Sequence, residues 1–270
     1  MKMILKTAPF GAREFGRVNW LGLWTLYKKE IGRFMRVWLQ TVLAPIVSNV
    51  LFMTVFMLAF AEQRAAGDPE AFTRFLIPGL IMLGILGNAS ANSSSSIMTS
   101  KVNGSIIDVL MPPLSHTELA VAYIGGAITR GILVAIVTTF ALSFFALIMP
   151  VHVWAIAYFS LSAAASMGMV GLLTGIWAEK FDQLAVVNQF VILPLSFLSG
   201  TFYSVSSLPD ALYKISLVNP LFYFIDGLRY GFLGQADSNI MVGVIYTLLL
   251  NLVLFIVCLK VLKSGWRLKA

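Results

Sequence analysis

The interval from Arg130 to Glu179 contains 48 residues without a charged side chain, and no other feature constrains the fold as tightly. A soluble domain cannot hide such a run, because each of its elements needs polar surface to face water. A bilayer can, and a helix crosses its hydrocarbon core in about 20 residues. The run is therefore two crossings. Its natural break is Met149-Pro150-Val151-His152, since proline starts a helix better than it continues one. Elsewhere, Val37 to Ala61 is uncharged, Arg74 and Lys101 bracket 26 uncharged residues, and 22 more separate Asp237 from Lys260. Asp182 and Asp210 bracket a fifth stretch, interrupted by Pro194. The expected spans are 37–60, 75–100, 119–149, 153–178, 183–207 and 238–260. Composition agrees: 59% of residues are hydrophobic and 11% charged, against about a quarter charged in soluble domains. The single cysteine, Cys258, excludes an intrachain disulfide framework.

Six crossings put both termini on one side, and Lys and Arg choose the side. With the termini inside, fourteen basic residues are cytoplasmic: eight before the first span, Lys101, Lys180 and four from Lys260 onward. Four, Arg64, Arg74, Lys214 and Arg229, face outward, and Arg130 lies within the third span. The net charge of +7 is thus an orientation signal, not a nucleic-acid footprint. Residues 1–17 show no signal-peptide core, and the expected division is 1–36 as a cytoplasmic N-terminus, 37–262 as the transmembrane domain and 263–270 as a cytoplasmic tail.

Four features stand apart from the spans. At 100° per residue, Trp20, Trp24, Tyr27, Ile31, Phe34, Met35 and Trp38 fall within about 100° of arc, with Lys29, Arg33 and Arg36 opposite. This predicts an amphipathic helix in the cytoplasmic interface, cations toward anionic lipid, either as an anchor alone or also as a platform for a partner. The connection Lys101 to Glu118 carries Ile106, Ile107, Leu110 and Met111, closed by Pro112 and Pro113. Ile106, Ile107 and Leu110 can share one face of a short helix, which either packs under the bundle or docks on another protein, since water does not reward its exposure.

The second span holds Asn88, Ser90, Asn92 and Ser93 to Ser96, residues suited to helix packing or to lining an aqueous path. Arg130 lies about 18 Å along the third span from Glu118, where it either snorkels or makes a functional polar contact. After the fifth span come Leu208-Pro209, an 11-residue uncharged run from Ile215 to Ile225 broken by Asn219-Pro220, then Asp226 and Arg229. Eleven residues cannot cross, so short re-entrant or outer helices are expected there, with Asp226 and Arg229 at i, i+3 able to pair. The fold class is an all-α polytopic membrane protein with six transmembrane helices.

Several chemistries find no support. The sequence has no phosphate-binding G-x-x-x-x-G-K-[ST], no H-E-x-x-H and no G-x-S-x-G. His116 and His152, its two histidines, are expected on opposite sides of the membrane. The six spans contain no Asp or Glu, which argues against a proton- or ion-coupled carrier and leaves a passive pore or a permease with an external engine.

These residues resemble the ABC-2 type permeases, membrane subunits of bacterial ATP-binding cassette exporters. Gly104-Ser-Ile-Ile-Asp-Val-Leu-Met-Pro-Pro-Leu-Ser115 is similar to that family's cytoplasmic segment, with Asp108 where many members have Glu. Phe197 to Tyr203, Leu208-Pro209, Asn219-Pro220 and Asp226-Gly-Leu-Arg229 resemble its late signature, and Lys29 to Gln40 resembles the small two-component export permeases. The resemblance implies a homodimer in the bacterial inner membrane, with two copies of a separate ATPase that hold ATP and Mg. This chain itself would carry no cofactor. By the same resemblance Gly104, Ile106, Ile107, Asp108, Leu110 and Met111 form the coupling helix, the helix of Trp20, Trp24, Lys29, Arg33 and Arg36 joins the same collar, and the helices near Pro209, Asn219 and Pro220 cap the exit. The cargo would be a drug, lipid or lipid-linked saccharide. The competing class is a stand-alone channel or lipid-binding scaffold.

Overall fold

A computed structural model describes residues 18–59 and 69–268. Part of the expected charge asymmetry, namely Lys2, Lys6, Arg13, Arg17, Arg64 and Lys269, lies outside the described residues. The helices are α1 (Trp20–Arg36), α2 (Leu39–Ala59), α3 (Pro69–Val102), α4 (Ile106–Leu110), α5 (His116–Leu142), α6 (Val153–Trp177), α7 (Phe181–Leu198), α8 (Asp210–Val218), α9 (Pro220–Leu233) and α10 (Ile240–Ser264). Six of them, α2, α3, α5, α6, α7 and α10, are long and apolar enough to cross a membrane. The described residues contain no strand.

The centre of the bundle is α3, packed along α6 and α5. Glycine makes this approach possible: a Cβ on Gly171 would lie 2.1 Å from the carbonyl oxygen of Ser90, and one on Gly175 2.8 Å from that of Ser94. Small residues let membrane helices touch backbone to backbone, where dispersion and not water exclusion holds them. Leu76, Leu80, Ile85, Ala89, Ala164 and Phe159 fill the surrounding core.

The ends differ in construction. Asn19 donates its backbone N–H to Glu118 Oε1 at 2.6 Å, Lys101 Nζ donates to the Ile176 carbonyl at 2.9 Å, and Arg267 Nη1 donates to the Trp177 carbonyl at 2.7 Å. Asn19 and Leu268 therefore share one end, called here the terminal end. At the opposite end the His152 N–H donates to the Gly231 carbonyl at 2.8 Å, and α8 and α9 fold across the bundle.

Several span limits differ from those expected, and the second span begins at Pro69, ahead of 75, because its helix starts before Arg74. The third helix ends at Leu142, not at 149, because Phe144 to Met149 is an apolar non-helical segment that charge gaps cannot tell from helix. It also begins earlier, at His116, where Ser115 and Glu118 form a reciprocal capping box. The fifth ends at Leu198, not at 207, and Gly200, at φ +78°, turns the chain. The sixth continues past Lys260 to Ser264, with Gly265 at φ +65° as its left-handed stop.

Pro194 does not break α7. A wide π turn, Asn188–Ile192, precedes it, and a second, Leu39–Leu43, precedes Pro45 in α2. A proline ring collides with the carbonyl four residues back in a regular helix, and the wider turn removes that collision.

Candidate functional site

The terminal end is built around α4. Gly104, at φ +70°, reverses the chain after α3, and five residues of helix follow. Ile106 and Val109 are buried with Leu26 and Leu119 in one cluster. Ile107 and Met111, by contrast, are 57% and 77% exposed, and Asp108 and Leu110 are also exposed. The expected single apolar face is therefore two: one packs under the bundle, and Ile107, Leu110 and Met111 form another that nothing in the described chain covers.

Beside α4 runs α1, and its first turn is fastened by Asn19. That side chain caps the Gly22 N–H at 2.9 Å and donates to the Pro113 carbonyl at 3.2 Å. Glu118 completes the joint, accepting from the Asn19 N–H with one oxygen and from the Ser115 N–H, at 2.6 Å, with the other. The Ser115-x-x-Glu118 spacing is a capping signal that charge gaps overlook, and nothing in it tells that the same carboxylate also holds α1. Between α1 and α4 lies a cleft of about 530 Å³, with Leu26, Val109 and Leu114 in its walls and Lys29 and Asp108 among its polar residues.

Trp20, Trp24, Lys29 and Arg36 of α1 are exposed, but Arg33 corrects the expectation that its cations face anionic lipid. Its guanidinium turns into the bundle. Nη2 donates to the Asn92 carbonyl at 2.7 Å, to Asn92 Oδ1 at 2.9 Å and to Glu30 Oε2 at 3.2 Å, while Nη1 donates to Ser95 Oγ at 3.1 Å. Glu30 is fully buried and accepts from Ser96 Oγ at 2.7 Å. A Cβ on Gly126 would meet the Glu30 Cβ at 2.8 Å, so α5 receives α1 at a glycine. A wheel that sorts charge from apolar residues assigns Glu30 and Arg33 to solvent. The signals that point inward are their i, i+3 spacing and the Asn/Ser run on α3.

That run acts as a packing surface. Deeper along it, Arg130 Nη2 donates to Asn88 Oδ1 at 2.9 Å, and both side chains are buried. Arg130 thus meets Asn88 inside the bundle, where the contact ties α5 to α3. The spanning helices carry carboxylates only in their first turns, at Glu70, Glu118 and Asp182, and α1 delivers a further one, Glu30, which is taken up by Arg33 and Ser96.

At the opposite end the late motif works as a set of ties. Pro209, exposed, precedes α8; Asn219 caps the Leu221 N–H at 3.1 Å and donates to Ser199 Oγ at 2.7 Å, and Pro220 occupies the first turn of α9. Asp226 and Arg229 do not pair as their spacing suggested. The Asp226 carboxylate accepts from the Asp237 N–H at 2.7 Å and from Ser238 Oγ at 2.6 Å. Burial pushes its pKa above the ordinary carboxylate range, against the opposing pull of those donors. Arg229 donates to the Gly200 carbonyl at 2.7 Å, with its guanidinium carbon 3.9 Å from the centre of the Phe75 ring. Among the described residues no cluster of three His, Cys, Asp or Glu side chains could hold a metal.

Between α3 and α7 is a further cleft of about 270 Å³, where Asn188, Gln189 and Ser196 face Gly87. Gln189 is exposed partway along a span, a depth at which lipid is a poor neighbour for an amide.

Comparison with known sequences finds that residues 22–233 match the model of a family described as ABC-2 type transporter. The chain is 34% identical over 249 residues to the inner membrane transport permease YadH of Escherichia coli strain K12, covering 91% of this chain and 96% of that one. It is 23% identical over 235 residues to nodulation protein J of Rhizobium leguminosarum bv. viciae, covering 83% of this chain and 86% of the relative.

Proposed function

The chain belongs to the ABC-2 type transporter family, and on that premise we propose that it is the membrane half of an exporter powered by a separate ATP-hydrolysing subunit bound at the terminal end. As a member it is a multi-pass inner-membrane transport permease subunit. The single observation that supports the ATPase reading is the divided face of α4: Ile106 and Val109 anchor it, while Ile107, Leu110 and Met111 project beside a cleft rimmed by Lys29 and Asp108. A surface of that kind at a membrane border fits a protein partner better than water. The termini are cytoplasmic in this reading, as the Lys and Arg asymmetry requires.

Force applied to α4 would pass along two routes. One is α3, which continues directly from it through Gly104. The other is α1, held to α3 by Arg33 and to α5 by Glu118 and Asn19. Two copies of the chain would meet so that the α3–α7 face, with Gln189 and Asn188, turns toward a shared path and away from lipid. The cargo is amphipathic or hydrophobic: a drug, a lipid or a lipid-linked saccharide. ATP and Mg belong to the partner.

The test is transport by the intact complex in vesicles. Asp108→Lys and Leu110→Asp, both exposed positions, should abolish ATP-dependent transport while the permease still inserts and purifies as a dimer. Unchanged transport with both substitutions would overturn the coupling assignment, and full transport without ATP or any partner would favour a stand-alone channel.

A further inference from the structure

On the flank away from the α3–α7 face, α5, α6 and α10 border an open cleft of about 660 Å³ with Val121, Ile128, Leu161, Ala165, Leu248 and Phe255 in its walls. It lies partway along three spans, so whatever fills it comes from the bilayer. Three polar side chains enter the lining, and all are engaged within the protein. Tyr158 Oη donates to the Val244 carbonyl at 2.9 Å. Asn251 Nδ2 donates to Ser162 Oγ at 2.8 Å, and Asn251 Oδ1 accepts from Ser166 Oγ at 3.0 Å. The cleft therefore offers a guest mainly hydrocarbon contact.

The same stripe of α10 ends in a charge. At 100° per residue Leu248, Leu252, Phe255 and Lys263 fall within about 80° of arc, and Lys263 lies about 12 Å beyond Phe255 along the helix. Lys263 is exposed, in the last turn of α10, and makes no hydrogen bond or ion pair among the described residues. Trp266, 49% exposed, follows it, a residue type that gathers where headgroups meet the hydrocarbon. An apolar slot at mid-membrane followed by a free ammonium about 12 Å toward the interface matches the chemistry of a phospholipid with net negative charge. We propose that this cleft is a resident lipid site that holds one acyl chain of an anionic phospholipid, with the headgroup phosphate bound by Lys263. It is separate from the terminal-end collar and from the α3–α7 face, and needs no ATPase.

The experiment uses the purified full-length protein in detergent, given phosphatidylglycerol or phosphatidylcholine with a photoactivatable diazirine in one acyl chain. Crosslinks mapped by mass spectrometry should concentrate on α5, α6 and α10 around Ile128, Ala165 and Leu252. Phosphatidylglycerol should label about fivefold more strongly, the preference one basic residue near the surface provides. Lys263→Gln should equalise the two lipids, and Ala165→Phe, which fills the cleft, should remove the concentrated labelling for both. Crosslinks spread evenly around the bundle, or equal labelling by the two lipids in the unsubstituted protein, would overturn the site even if Ala165→Phe fails to fold.

Discussion

Arg33→Met should destabilise the protein far more than Glu30→Gln, although the two side chains form one ion pair. The carboxylate is fully buried, whereas the guanidinium is 26% exposed and keeps Asn92 and Ser95 as acceptors when Glu30 is neutralised. Glutamine at position 30 can present its oxygen to Arg33 and its amide to Ser96 Oγ, so it loses charge but not connectivity, at a cost of about 1 kcal/mol. Methionine at position 33 keeps the apolar stem and leaves a buried carboxylate with Ser96 alone, at a cost of about 3 kcal/mol. The double substitution leaves a neutral, hydrogen-bonded glutamine and should recover about 2 kcal/mol of that loss. At roughly 2–3 °C per kcal/mol for a chain near this size, Arg33→Met lowers the unfolding midpoint by about 6–9 °C and Glu30→Gln by about 2–3 °C. Thermal unfolding followed by tryptophan fluorescence in a fixed detergent measures all three. The reasoning is refuted if Glu30→Gln is as damaging as Arg33→Met, or if the double variant is as poor as the sum of the singles.

Glu70→Ala, at the exposed Glu70–Arg74 pair, should change the same midpoint by less than about 1 °C, because exposed ion pairs contribute little. Gly171→Ala forces a Cβ against the Ser90 carbonyl and should prevent stable accumulation, whereas Gly87→Ala meets nothing within 4 Å and should accumulate normally; quantitative blotting of membrane fractions separates them. Asn251→Leu removes the hydrogen bonds from α10 to Ser162 and Ser166 and should cost about 1–2 kcal/mol, read as a lower resistance to denaturing detergent.

Much of the fold is legible in the distribution of charge. The gaps between Asp, Glu, Lys and Arg locate all six crossing helices, and the Pro150 break divides the longest gap correctly, since α6 begins at Val153. Charge fails where an apolar segment is not helical, as from Phe144 to Met149, and where a span ends on backbone conformation, as at Gly200. The site was readable in its outline: α1 and α4 are helices where patterning expected them. Hidden from the pattern was the direction of three charged side chains. Arg33 and Glu30 turn inward because α3 offers Asn92, Ser95 and Ser96 at matching height, a complementarity between segments more than fifty residues apart. Asp226 is drawn from Arg229 by two backbone amides and the Ser238 hydroxyl, partners that no i, i+3 rule contains.

The wide turns ahead of Pro45 and Pro194 fix the rotational phase of two spans. Each holds one residue more than an α-helical turn would, so the helix beyond it is rotated by about 100° relative to an uninterrupted one. In α2 this rotation brings Asn49 to the Leu80 carbonyl, to which its Nδ2 donates at 3.3 Å. Deleting one residue from Leu39–Leu43 would drive the Pro45 ring into the carbonyl behind it and swing Asn49 off α3 toward lipid. Proline and wide turn are thus a single unit of chain length: a variant that shortens one must replace the other, and a helical wheel drawn through either segment without the extra residue assigns its faces to the wrong neighbours.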